Sequence, residues 1–352
     1  MSQGGAAGMT ESLSGSLESG PRHIAERLVE KAGLPAVAEI GRLTGGKNNQ
    51  VFQVTLTDGS LRVLKCYHVD ARDDRDRLRA EWSYLNYAWE RKVRNIPEPI
   101  ACDPSHAAGL YGFVAGRKLA AAEIDAAAVA AAAAFVVAVN AAPHRPEVLD
   151  AGSEACFTIA NHLATVDRRV ARFADIDDSA PQAEEARRFV ADRLKPSWQR
   201  VRGEIVRDIG REGLDPEAKI ARPIVSPSDF GFHNMLCDDL GHLSVIDFEY
   251  AGRDDPAKLV CDFFCQPEIP VPIQFFDTFA DQIVRELGLP TEDRRRCAIL
   301  LDAYRIKWVC IILNEFLALG SSRRAFADPG ARAERCRRQL ERAGQRLALV
   351  AR

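Results

Sequence analysis

Asp229, Asn234 and Asp247 lie in one stretch, Ser226-Pro-Ser-Asp-Phe-Gly-Phe-His-Asn-Met-Leu-Cys-Asp-Asp-Leu-Gly-His-Leu-Ser-Val-Ile-Asp-Phe-Glu249. It reads as loop, strand, turn, strand, a layout that brings the three polar side chains to one end of a small hairpin. A carboxylate, an amide oxygen and a second carboxylate suit a hydroxyl nucleophile beside Mg²⁺. That is the chemistry of phosphoryl transfer, which needs positioning and charge neutralisation more than covalent help. Each residue alone has an ordinary explanation, since loops rich in Pro, Ser and Gly use Asp and Asn for turn chemistry. The ordered set carries the reading.

Several elements must position this set. Val51-Phe-Gln-Val-Thr-Leu56 alternates like a strand, Asp58-Gly59 is a strong hairpin turn, and Leu61-Arg-Val-Leu-Lys-Cys66 is the return strand. Lys65 ends that return strand, where a lysine either snorkels or reaches phosphate oxygens as a point charge. Leu78, Trp82, Leu85 and Trp89 recur at helical spacing, and Glu81 sits at the edge of their stripe. Lys65 and Glu81 together permit an ion pair between strand and helix that holds the lysine's aim. Ahead of the first strand, Leu43-Thr-Gly-Gly-Lys-Asn-Asn-Gln50 offers Gly45, Gly46 and Asn48 for close backbone approach to phosphates. It matches neither a P-loop nor a full G-x-G-x-x-G.

The 352 residues suffice for two or three lobes, and a net charge of -3 gives no basic field for nucleic acid. The nine cysteines show no C-x-x-C spacing, so reduced thiols in a cytoplasmic core are expected. No basic start or apolar centre of a secretory signal opens the chain. Ala126 to Ala142 is uncharged but short, alanine-rich and interrupted by Asn140, which favours a buried helix over a membrane span. Residues 1–20 are expected to be a disordered tail. Residues 21–115 form a small α+β lobe with an antiparallel sheet and one helix. Residues 116–352 form a larger, mainly helical lobe carrying the hairpin at 222–250. Its helices are expected to Asn140, then around Ala155–Phe173, Pro181–Ile209, Val271–Leu287, Arg294–Leu319 and Ala331–Val350.

On these residues the chain resembles the aminoglycoside phosphotransferase and choline kinase group of small-molecule kinases, from about residue 22 to the last helices. The resemblance implies a bilobal, protein-kinase-like fold that uses ATP as co-substrate and Mg²⁺ as cofactor. By it, Lys65 would contact the α- and β-phosphates, with Glu81 as its partner. Asp229 would orient or deprotonate the acceptor hydroxyl, and Asn234 and Asp247 would ligate Mg²⁺. Tyr111-Gly-Phe-Val114 would meet the adenine edge, which singles out Tyr111 and Phe113. Asp254-Asp-Pro256 and Asp262 would buttress the loop. The sequence departs from the group at Pro227, where a His is usual, and at Phe248-Glu249, where Phe-Gly is usual. Glu249 would then either touch a second Mg²⁺ or be a surface acid.

The expected reaction is transfer of the γ-phosphoryl group of ATP to a hydroxyl of a sugar, amino alcohol or antibiotic-like metabolite, with no nucleic-acid or membrane partner. Alternatives are a nucleotide-binding pseudokinase acting as an interaction module, or a kinase for a protein or protein-bound sugar. The late helices offer Lys307, Asn314 and Glu315 as polar interruptions for the acceptor. Their mixed charge, with Arg305 beside Glu315, weighs mildly against a polycationic aminoglycoside.

Overall fold

Leu64 and Lys65 are neighbours on one strand and so face opposite sides of a sheet. That alternation organises the small lobe. The structure, a computed structural model, describes residues 20–43, 49–70, 73, 75–143, 145–318 and 332–350. Gly45, Gly46 and Asn48 lie outside the described residues, as does all but the last residue of the 1–20 tail. Five antiparallel strands, β1 (Val37–Leu43), β2 (Gln50–Leu56), β3 (Leu61–Cys66), β4 (Pro99–Asp103) and β5 (Ala108–Gly112), pair in the order β1-β2-β3-β5-β4. The β2–β3 turn is the one read from Asp58-Gly59. Asp58 accepts the Ser60 N–H at 2.9 Å, and Gly59 takes φ 83°, where a side chain is strained.

On one face of the sheet Val54, Leu56, Leu64, Ala108 and Leu110 pack under α1 (Pro21–Lys31). This helix is an addition to the single one expected. Its apolar residues Ile24, Ala25, Leu28 and Val29 form one stripe behind Pro21 at the first turn. Eleven residues are too few to hold a helix in water alone, so the sheet holds it. The other face receives α2 (Arg77–Glu90), capped by Asp76, whose carboxylate accepts the Arg79 N–H at 2.9 Å. Lys65 points to this side, and so does Glu81, from the middle of α2.

The large lobe contains α3 (Ala126–Val139), α4 (Ile159–Ala171), α5 (Ala183–Phe189), α6 (Lys195–Glu212), α7 (Pro256–Cys265), α8 (Phe276–Glu286), α9 (Thr291–Leu313) and a last helix, Arg332–Leu347. The helix expected over Pro181–Ile209 is split by a wide turn at Val190–Leu194. Pro196 follows at once, and its missing N–H explains why the regular ladder fails there. Asn140, just past α3, is fully buried and mimics a strand. Its amide donates to the Val225 carbonyl at 2.9 Å and accepts the Val225 N–H at 2.8 Å. The one polar residue of that alanine-rich segment thus anchors the strand that leads into the chemistry-bearing loop. No helix among the described residues is long and apolar enough to cross a membrane.

Candidate active site

Two short ribbons hold the site. β6 (Ile224–Ser226) pairs with β9 (Gly252–Asp254), and β7 (Met235–Cys237) pairs with β8 (Leu243–Val245). Asp229 and Asn234 occupy the loop between β6 and β7, and Asp247 follows β8. The Ile246 N–H donates to the Asn234 carbonyl at 2.9 Å, which sets Asn234 beside Asp247 at the base of the hairpin. The Asn234 amide donates to the Asp229 carbonyl at 2.9 Å and closes the loop on itself. Phe230 and Phe232 are fully buried and stack toward Phe263, with ring centroids 5.1 and 5.6 Å away. They pin the loop's backbone to α7.

Backbone strain marks this loop. Ser228 and Asp247 adopt φ 62° and 70°, a left-handed conformation that a non-glycine residue holds only when its surroundings impose it. At Asp247 the imposing contact is the next residue. Phe248 is fully buried and stacks on Tyr84 of α2, with centroids 4.4 Å apart. Helix α2 therefore delivers Glu81 to Lys65 and, one turn later, fixes the Asp247 loop.

Lys65 stands at the junction. Its Nζ donates to both Glu81 carboxylate oxygens at 2.9 and 2.7 Å and to Asp247 Oδ1 at 2.8 Å. Burial disfavours the ammonium, but the carboxylates of Asp247, Glu81 and Glu249 outweigh it and raise the lysine above its ordinary range. Burial, reinforced by Asp247, pushes the Glu81 carboxyl up, while Lys65 and the Tyr67 hydroxyl pull the other way. Tyr67, two residues beyond Lys65 and facing the same side, donates to Glu81 at 2.7 Å, and its hydroxyl lies 2.8 Å from that of Tyr111. The Tyr111 side chain is thus buried beneath Glu81. Phe113, half-exposed, is the first large side chain past the end of β5.

Glu249 lies neither at the surface nor in an open position. It is 3% exposed, accepts from the Asn49 amide at 2.8 Å and lies 3.3 Å from Arg77 Nε. Asn49 directly precedes β2 and Arg77 opens α2, so Glu249 ties both parts of the small lobe to the residues after Asp247. Asn49→Ala and Glu249→Ala are expected to be non-additive in thermal unfolding, with a coupling of about 0.5–3 kcal/mol. An additive cycle contradicts the tie.

Two of the three late-helix residues, Lys307 and Glu315, are engaged elsewhere. Lys307 is buried and donates to Asp262 at 2.8 and 2.9 Å. Glu315 is buried 3.3 Å from Arg335 Nε. Asn314 is half-buried at the end of α9. Asp254 pairs with Lys258 inside the lobe, and Asp255 caps α7 through Ala257 at 2.7 Å while holding His162 at 2.9 Å and pairing with Arg296. Tyr67, Asn49, Arg77 and His233 were not singled out in the sequence. Strand alternation from Lys65 would have found Tyr67, and the four-residue spacing from Asp229 would have found His233, whereas the contacts of Asn49 and Arg77 with Glu249 are set by tertiary packing.

Asp247 and Asn234 supply hard oxygen donors of the kind magnesium prefers. Among the described residues no group of three His, Cys, Asp or Glu side chains is arranged to hold a metal by itself, so an ion held here would draw its other ligands from phosphate oxygens and water.

The model of the phosphotransferase enzyme family matches residues 39–300. No curated protein sequence matches the chain. Among solved structures, an ethanolamine kinase of Plasmodium vivax is 14% identical with TM-score 0.55, covering 82% of each chain. The choline kinase LicA of Streptococcus pneumoniae is 14% identical with TM-score 0.54, covering 93% of this chain and 99% of its own. A thermostable variant of the aminoglycoside phosphotransferase APH(4)-Ia, solved with ADP and hygromycin B, is 16% identical with TM-score 0.51, covering 90% and 98%. These likenesses establish the bilobal kinase-like α+β fold. With the family model spanning most of its length, the chain belongs to the phosphotransferase enzyme family, enzymes that place a phosphoryl group on a hydroxyl of a small molecule.

Proposed function

We propose that the chain moves the γ-phosphoryl group of ATP, in a magnesium-dependent reaction, to a hydroxyl of a sugar, amino alcohol or antibiotic-like metabolite. One observation carries this reading: the Lys65 ammonium touches Glu81 and Asp247 together, at 2.7–2.9 Å. A cation aimed by a helix carboxylate and resting on a carboxylate of the opposite lobe is placed to receive polyphosphate between the lobes. ADP in the APH(4)-Ia structure supports the nucleotide.

In this reading Lys65 contacts the α- and β-phosphates, and the main chain from Tyr111 to Phe113 meets the adenine edge. Asn234 and Asp247 would hold magnesium, which offsets charge growing on the leaving β-phosphate. Asp229 orients the acceptor hydroxyl and takes its proton as the new O–P bond forms and the bond to the β-phosphate oxygen breaks. Orientation alone can supply about 7–11 kcal/mol of barrier lowering in such a site.

The test is metal dependence. Calorimetric titration should show ATP binding that Mg²⁺ strengthens in the natural protein, and Asp247→Ala should remove that strengthening. Binding that depends equally on Mg²⁺ in the variant would refute the assignment. Phosphate transfer across a panel of sugars and amino alcohols then identifies the acceptor.

A further inference from the structure

His233 faces the carboxylate proposed to do the chemistry. We propose that it is a positioning residue for Asp229, doing from the far side of the loop what Pro227 cannot do from the near side. The assignment rests on Asp229 as the group that orients the acceptor.

Its Nε2 lies 3.3 Å from Asp229 Oδ1, with both side chains partly buried. Position 227 offers no side-chain donor, and its contribution is a main-chain carbonyl that accepts the Asp229 N–H at 2.9 Å. The backbone of Asp229 is therefore held by Pro227 and Asn234, but a carboxylate also needs its plane fixed. A polar imidazole edge set against one oxygen restricts how that plane can turn.

The ring's own setting is built. A Cβ at Gly231 would fall 2.8 Å from His233 Nδ1 and 2.9 Å from the Gln266 side chain. Gly231 has an extended backbone (φ 173°), so the glycine is required there for space and not for conformation. Gln266 is fully buried and fixed, accepting the Glu268 N–H at 2.9 Å and donating to the Ile269 carbonyl. The Nδ1 of His233 is buried with no hydrogen-bond partner. With Nδ1 buried beside Gly231 and without a partner, the polar contact of the ring is the one its Nε2 makes with Asp229. Phe230 and Phe232, which lie between the two in sequence, are fully buried, whereas Asp229 and His233 are only partly buried and approach each other.

The experiment compares the natural protein with His233→Leu and His233→Gln, using MgATP with water as acceptor and phosphate release as readout. His233→Leu should lower kcat about 10–100-fold, the scale of a misaligned reacting group, while ATP affinity stays within about twofold. His233→Gln keeps an amide N–H and should recover at least about fivefold of the loss. Equal rates in all three proteins would overturn the proposal, as would equal loss in both variants or ATP affinity falling in step with kcat. A second measurement is independent of turnover. In protein carrying ¹⁵N-histidine at fixed pH, the His233 imidazole should show hydrogen on Nε2, and Asp229→Ala should erase that preference. A tautomer indifferent to Asp229→Ala overturns the contact. If the natural protein binds no MgATP and releases no phosphate while the ¹⁵N signature still answers to Asp229, the kinase reading falls and the contact stands.

Discussion

Replacing Asp229 with alanine is expected to lower phosphate transfer by about 10²–10⁴-fold, the contribution of a positioned base, and to leave ATP binding nearly unchanged. The geometry separates the two effects. Asn234 grips the main-chain carbonyl of residue 229, not its side chain, so removing the carboxylate leaves the loop closed. Asp247 is held by the hairpin, by Phe248 against Tyr84 and by Lys65, none of which involves Asp229. Phe230 and Phe232 continue to pin the backbone. Single-turnover transfer and calorimetry on the same preparation check the split. Parallel loss of both would place Asp229 in the fold and not in the reaction.

How much of this was legible depends on whether a residue's role is set locally. The β2–β3 hairpin follows from alternation and an Asp-Gly turn, and Lys65 faces α2 because Leu64 faces α1. Glu81 was readable from helical spacing. Asp229, Asn234 and Asp247 were readable because a short hairpin must bring both its ends together. Helix α7 escaped because all ten of its residues are buried and its polar pair, Lys258 and Asp262, is closed in ion pairs inside the lobe, so it shows no solvent-facing stripe. Lys307 and Glu315 looked like polar interruptions available to a ligand, yet each is closed in an ion pair with a residue distant in sequence. Glu249 was left between metal ligand and surface acid, and the structure gives it buried partners 200 and 172 positions away, Asn49 and Arg77. Pairings of that range are a property of how the lobes dock, and composition carries no trace of them.

The second large effect tests the junction itself. Lys65→Met keeps the side chain's apolar length and removes its charge. Glu81 is then a buried carboxylate with only the Tyr67 hydroxyl for support among the contacts described above, so stability should fall by about 3–5 kcal/mol, as when one partner of a buried pair is deleted. ATP should also bind about 10–150-fold more weakly, the loss of a charge-assisted contact, while adenosine binds as before. Both results have one cause in this variant, so a second substitution must divide them. Glu81→Gln in the Lys65→Met background removes the uncompensated charge yet still accepts from Tyr67. Asp247, partly open to water, can be hydrated where Glu81 cannot. The double variant should therefore regain most of the lost stability without regaining ATP affinity. If ATP affinity returns with stability, Lys65 supports the fold and does not touch the phosphates. If adenosine weakens as much as ATP in the folded double variant, the lysine shapes the nucleotide pocket as a whole.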